Sequence, residues 1–172
     1  YHELVQKMRT FFVEKGFYEV PTQSRLSILA ACENPHSIAT YKFDGEVWPL
    51  PQTGQMWLEY ELLKNPEWNG VFCISTSYRD EKTPIPGRHA KMFPMFEVES
   101  KGTMEDMIKL ESELLDYLGF DKPIEVKRNK YDATTTCLGL FAEGLSAVNF
   151  IIYLSGISAA CSTIFFRPCW HN

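Results

Sequence analysis

The sequence predicts an α+β fold, a mostly antiparallel sheet flanked by helices. Three observations carry that expectation. Residues 2–16 and 104–118 repeat apolar side chains at three- and four-residue steps, the period of an amphipathic helix. Residues 71–78 and 92–98 are rich in β-branched and aromatic side chains, which suit a pleated, half-buried surface. Helices and strands also follow one another in mixed order, without the regular alternation that a parallel sheet demands.

Each element has its own grounds. In the first helix, His2 to Gly16, Leu4, Val5, Met8, Phe11 and Phe12 share one face, and Glu3, Lys7, Arg9 and Glu14 take the other. Gly16 is suited to stop it. Phe17-Tyr18-Glu19-Val20 reads as a short strand ended by Pro21, which has no backbone donor to offer a sheet. Residues 22–40 read as irregular, with a turn signal at Asn34-Pro35. Tyr41 to Leu50 reads as a hairpin around Asp44-Gly45. Gly54 to Leu63 has helical character, with Met56, Leu58, Tyr60, Leu62 and Leu63 among its apolar positions, and stops before Asn65-Pro66. Val71 to Tyr78 and Met92 to Val98 are strands. The polar loop between them, Arg79 to Lys91, holds Pro84, Pro86 and Gly87. It is longer than a simple hairpin needs and charged enough to suggest a ligand. The last clear helix, Met104 to Leu118, turns Met107, Leu110, Leu114, Leu115 and Leu118 inward and ends at Gly119.

Composition bounds the function. At 172 residues, 45% hydrophobic and 23% charged, the chain suits one globular domain and excludes disordered or low-complexity classes. A net charge of −5 excludes a strongly basic nucleic-acid coat, though a local basic groove remains compatible with it. Cys32, Cys73, Cys137, Cys161 and Cys169 form no CxxC pair and are odd in number, which favours a reducing, cytoplasmic setting over a disulfide scaffold. His2, His36 and His171 show no metal-ligand spacing. No nucleophilic triad, P-loop or dinucleotide fingerprint is present. The chain opens on Tyr1 rather than Met, as expected where further sequence lies upstream.

Charge divides the chain into residues 1–130 and 131–172. After residue 130 only Asp132, Glu143 and Arg167 are ionic. Leu145 to Phe166 is uncharged and matches the ~20 residues of a membrane-crossing helix. Asn149, Gly156 and several Ser and Thr lower its apolarity, and β-branched residues at 148, 151, 152, 157, 163 and 164 fit strands. Buried strands are the preferred reading over a membrane span.

Three segments stand out together. They are Glu14-Lys15-Gly16-Phe17-Tyr18-Glu19-Val20-Pro21-Thr22, Leu50-Pro51-Gln52-Thr53-Gly54-Gln55-Met56-Trp57-Leu58-Glu59, and the stretch from Ser77-Tyr78-Arg79-Asp80-Glu81 through Gly87-Arg88-His89 to Phe93-Pro94-Met95-Phe96-Glu97-Val98-Glu99. In this order they resemble the catalytic core of class II aminoacyl-tRNA synthetases, in particular the aspartate, asparagine and lysine subgroup and the related asparagine synthetases. The first is similar to motif 1, a dimer-interface helix and strand. The second is similar to the "TQSGQLYLE" element that helps hold the amino acid. The third is similar to motif 2, with its "FRxE" start and an "RH" pair in the loop. Cys32-Glu33 resembles the "CEG" of the mobile loop in asparaginyl enzymes.

The resemblance implies roles that the side chains can perform. Amino-acid activation brings a carboxylate to the α-phosphate of ATP, two anions that repel. Arg79 stands where the family binds both, and a permanently charged, planar guanidinium suits that task. A surface ion pair with Asp80 or Glu81 is the plainer reading. Glu81 matches the glutamate near ATP and the transfer end of tRNA; it equally suits an acidic turn. Arg88 and His89 fall where the β- and γ-phosphates are held, although His89 also reads as an ordinary loop histidine. Phe93 aligns with the aromatic that stacks on adenine, against a core role; Met95 and Phe96 read as core. Gln52, Thr53 and Gln55 would offer neutral donors and acceptors to the amino acid, with helix capping the simpler role for Thr53. Glu33 would hold the substrate ammonium as a loop closes, or be a solvated carboxylate.

Taken together, the resemblance implies ATP-dependent activation of a small amino acid, aspartate or asparagine, as its adenylate, with Mg²⁺ as cofactor and tRNA or ammonia as acceptor. A cytoplasmic homodimer joined through residues 8–22 is expected. The family's glycine-rich third motif is not found: Gly139, Gly144 and Gly156 lie in no GxGxxR context. The acidic Mg²⁺ ligands that precede it are not placed either. The chain is therefore expected to be the first half of such a core, with an incomplete ATP site. The contrasting expectation is a noncatalytic paralogue serving as a dimerisation or RNA-interaction module, and a weaker one a membrane-anchored protein.

Overall fold

The computed structural model describes residues 1–22, 30, 33–86, 89–120, 135–140, 148–157 and 159–168. In chain order these form α1 (His2–Glu14), β1 (Tyr18–Glu19), a 3₁₀ turn (Pro35–Ser37), β2 (Thr40–Phe43), β3 (Glu46–Pro49), α2 (Gln55–Lys64), β4 (Gly70–Tyr78), β5 (Met92–Ser100), α3 (Met104–Leu118), β6 (Thr135–Leu140), β7 (Val148–Ile157) and β8 (Ala159–Pro168). One sheet runs in the order β1-β4-β5-β8-β7-β6, and β2 and β3 make a separate hairpin. The α+β expectation holds.

The β4–β5 pair is antiparallel over its full length, with Phe72 opposite Val98 and Ser77 opposite Phe93. Side chains alternate between the two faces of a strand, so each face builds its own core. On one face Phe72, Phe96 and Val98 meet Met8, Phe11 and Phe12 of α1 and Met107 and Leu114 of α3. The Phe72 and Phe96 rings stack with centroids 5.2 Å apart, and Phe12 lies 5.4 Å from Phe96. On the other face Val71 and Cys73 meet Leu58 and Leu62 of α2, together with Val20. The inward residues read from the periodicity of α1 are buried or half-buried. On α2 the apolar pattern is less faithful: Leu63 is 83% exposed and Tyr60 52%.

One pairing departs from the antiparallel pattern. β1 runs parallel to β4, with Tyr18 beside Val71 and Glu19 beside Phe72. Parallel neighbours need a long crossover, and residues 20–70, carrying the hairpin and α2, supply it. The hairpin turns at Asp44 (φ 53°) and Gly45 (φ 82°). These are the left-handed conformations that an Asp-Gly turn accepts between twisted strands.

Beyond the core, the uncharged stretch forms strands: β8 pairs antiparallel with β5, and β7 with β8 and β6. No helix among the described residues is long and apolar enough to cross a membrane. The proposed division near residue 130 lies outside the described residues.

α3 starts on a capping box. Thr103 Oγ1 accepts the Asp106 N–H at 3.3 Å, while the Thr103 N–H donates to Asp106 Oδ2 at 2.8 Å. The Thr103 N–H bond holds the Asp106 carboxyl below the ordinary carboxylate range. Losing an N-cap hydroxyl costs about 1 kcal/mol. Thr103→Ala should therefore lower the melting temperature by about 2–4 °C; calorimetry that finds no change would assign the start of α3 to packing alone.

Candidate active site

The end of β4 and the two segments laid beside it form the site. The strand run 70–78 ends at Tyr78 because the next residues turn away into a charged loop, closed at its base where the Arg79 N–H donates to the Lys91 carbonyl at 2.7 Å. Within that loop Asp80 pairs with Lys91 at 3.4 Å, and His89 Nδ1 lies 2.7 Å from Glu81 Oε2. The Arg79 guanidinium sits over the Phe93 ring, 5.4 Å from its centroid, and its Nε reaches Ser77 Oγ at 3.4 Å. This geometry is a cation on an aromatic face. Arg79, Glu81, His89 and Phe93 thus come together at one end of the β4–β5 ribbon. Arg88, like Gly87 and Cys32, lies outside the described residues.

Beside Tyr78 lies a pocket of about 220 Å³, lined by Thr22, Pro51, Thr53, Gly54, Ile74, Ser75, Thr76 and Tyr78. Its wall is mostly hydroxyl and backbone. Behind that wall is Glu97, 1% exposed. It accepts the hydroxyls of Thr53 and Ser75 and the Gly54 N–H, the last at 2.8 and 3.0 Å. Burial pushes the Glu97 carboxyl above the ordinary carboxylate range, and the bonds from Ser75, Thr53 and Gly54 oppose that rise. Gly54 permits the arrangement: a Cβ there would stand 3.1 Å from Glu97 Oε2 and 3.0 Å from a Thr22 methyl. Cys73, also against this carboxylate at 3.9 Å, has its thiol pushed up by burial and is a poor nucleophile.

The residues expected to meet the amino acid divide. Thr53 lines the pocket, donates to Glu97 and also accepts the Gln55 N–H at 3.1 Å; it does not cap α2, whose N-cap is Gly54 with no side-chain bond. Gln55 is buried at the start of α2, with Nε2 3.2 Å from Glu59 Oε1. Gln52 is buried and turns its carboxamide to Asn34 and Ser37, while Glu33 accepts the N–H groups of Ala30 and Gln52. Sequence reasoning passed over Glu97. Its signal was a carboxylate in the middle of an apolar strand, on the same side as Met95. Among the described residues no group of three His, Cys, Asp or Glu side chains could hold a metal.

Comparison with known proteins agrees with the fold. The family model for class II tRNA synthetases (D, K and N) matches residues 1–137. An asparagine–tRNA ligase of Pelotomaculum thermopropionicum is 32% identical over 117 residues, covering 67% of this chain and 26% of that protein. The asparaginyl-tRNA synthetase of Pyrococcus horikoshii, complexed with asparaginyl-adenylate, superposes with a TM-score of 0.59 at 24% identity, over 67% of this chain and 25% of that one. The Entamoeba histolytica asparaginyl enzyme, also with asparaginyl-adenylate, gives 0.57 at 19%, over 69% and 25%. At those identities the two structures establish the fold. The chain spans about a quarter of the length of these relatives.

Proposed function

The chain belongs to the class II tRNA synthetase family (D, K and N), and on that premise we propose that it carries the amino-acid and nucleotide contacts of an adenylate-forming site, with asparagine the leading substrate. One observation supports this most: a hydroxyl-lined pocket with a buried carboxylate behind it adjoins, along β4, an arginine packed on an aromatic ring. Arg79 would bridge the substrate carboxylate and the α-phosphate of ATP, lowering the repulsion between them as the carboxylate oxygen attacks phosphorus and pyrophosphate leaves. Phe93 would support the adenine. Glu81 and His89, already hydrogen-bonded, would order the loop toward the phosphates. Asparagine is preferred to aspartate because the 32% identical relative is an asparagine–tRNA ligase.

The test is exchange of labelled pyrophosphate into ATP by the native-length protein, with each amino acid in turn. Exchange with asparagine above aspartate and all others is expected; exchange independent of amino acid would sink the reading. Acylation of tRNA against amidation of aspartate by ammonia then separates the two acceptors.

Phe93 probes the nucleotide contact separately. Base–aromatic stacking is worth about 1–3 kcal/mol, so Phe93→Leu should raise the KM for ATP roughly tenfold with the melting temperature unchanged. An unchanged KM with a lower melting temperature would make Phe93 a packing residue.

Assembly is the other part of the reading. β1 is an edge strand of the six-stranded sheet. Its Tyr18 is 49% exposed and stacks on Trp68 at 4.3 Å. An unpaired edge with exposed aromatics favours two-fold pairing with a second copy through residues 8–22. Sedimentation at micromolar concentration should give twice the chain mass, and a clean monomer would refute this interface.

A further inference from the structure

Strand register decides which side chains meet at the open end of the β4–β5 ribbon. Ser77 stands opposite Phe93, and Arg79, two residues on, keeps to the same side of the sheet. Arg79 is thus a diagonal neighbour of Phe93, a separation that a long side chain spans. The contact forms: the guanidinium carbon lies over the Phe93 ring, 5.4 Å from its centroid. Two bonds fix the arginine from below. Its main-chain N–H donates to the Lys91 carbonyl at 2.7 Å, and its Nε donates to the Oγ of the fully buried Ser77 at 3.4 Å.

Arg79 and Phe93 are the two groups that a nucleotide would draw apart. In the activation reading Arg79 serves the α-phosphate and Phe93 the adenine. A stacked aromatic ring has its centre about 4.5–7 Å from that of its partner, the shell in which the guanidinium carbon lies. Phe93 is half-buried. Part of its surface is therefore kept by the protein, and cation and base must share the rest. The ring attracts both, a cation through its quadrupole and a base through stacking. One excludes the other.

We propose that the Arg79 guanidinium and an adenine base compete for the Phe93 ring, so that a stacking base displaces the cation. This rests on the activation reading above and adds an order of events to it. Adenine takes the ring, and the guanidinium turns about its Ser77-bonded Nε toward the phosphates. Recognition of the base and delivery of the positive charge become one step. An anion that carries no base leaves the cation on the ring. Arg79 thus opposes binding of the base while favouring binding of the phosphates.

The experiment measures the affinity of the native-length protein for adenosine and for ATP by calorimetry, in the wild type and in Arg79→Ala. Adenosine has the base but no phosphate. It should bind Arg79→Ala about two- to fivefold tighter, the gain when an exposed cation–π contact no longer opposes the base. ATP should bind the same variant more weakly, because the phosphate contact is lost. Opposite signs in one variant are what competition requires. In a Phe93→Leu background Arg79→Ala should bring no gain for adenosine, since the shared ring is gone. Equal adenosine affinity in wild type and Arg79→Ala overturns the proposal. Weaker adenosine binding to Arg79→Ala overturns it too, by making the guanidinium a second stacking surface for the base. The Arg79 Nε–H resonance, identified by its loss in Arg79→Ala, reads the displacement in the unsubstituted protein. The ring current of Phe93 should hold this signal upfield, and adenosine should move it downfield. A signal that stays in place or moves further upfield as adenosine binds refutes displacement and leaves the activation reading intact. A wild type that binds neither adenosine nor ATP refutes the nucleotide site of the activation reading, and the competition with it.

Discussion

Arg79→Ala should lower amino-acid-dependent pyrophosphate exchange by roughly 10²–10³, the usual loss when one preorganised charge contact to a transition state is removed. Its guanidinium lies on the Phe93 ring at the end of the β4–β5 ribbon, outside both apolar cores, so the melting temperature should move little. Arg79→Lys keeps the charge but loses the planar fork and should recover only part of the rate. Exchange at the wild-type rate in Arg79→Ala would remove Arg79 from the chemistry and leave it a surface cation.

The second large effect falls on stability. Glu97→Ala leaves the hydroxyls of Thr53 and Ser75 and the Gly54 N–H without their common acceptor. A stranded buried donor costs about 1–3 kcal/mol. With three affected, the melting temperature should fall on the order of 10 °C. An unchanged melt would mean that water replaces the carboxylate without penalty. The same residue sets a pH dependence. Its folded-state pKa lies above the ordinary 4.5, so the folded protein holds this proton more tightly than the unfolded chain does. The Glu97 contribution to stability therefore declines as pH rises from 4.5 through the higher folded value. Glu97→Gln, which cannot titrate, should flatten that decline in melts taken across the range.

The helices were legible because their periodicity is local. α3 begins and ends where Met104 and Leu118 suggested, and α1 buries Val5, Met8, Phe11 and Phe12 as its spacing implied. The hairpin was legible from Asp44-Gly45, which names its own turn. Strand direction was not: nothing in Tyr18-Glu19 says that its neighbour is Val71-Phe72, because pairing across residues 20–70 leaves no local mark. At the site, the motif segments drew attention to Arg79, Glu81, His89 and Phe93, and the fold brings these together. The division of labour within the amino-acid half was hidden. A glutamine can bond a ligand or a backbone equally well, and only the position of Asn34 shows where the Gln52 carboxamide goes. Glu97 was hidden for the same reason, since its donors at Thr53, Gly54 and Ser75 come from distant stretches of chain.

The parallel pairing of β1 with β4 also orders events in time. A two-residue strand gains little until its partner is in place, and here residues 20–70 must first be drawn into a closed loop. The β4–β5 ribbon closes only the short 79–91 loop and needs no such delay. As the polypeptide emerges from the ribosome, α1 and Tyr18-Glu19 therefore wait undocked while the hairpin, α2 and β4 are made. This edge of the sheet is therefore completed late, only after the β4–β5 ribbon has formed, and a chain stalled before residue 70 presents no finished edge on which a second copy would pair.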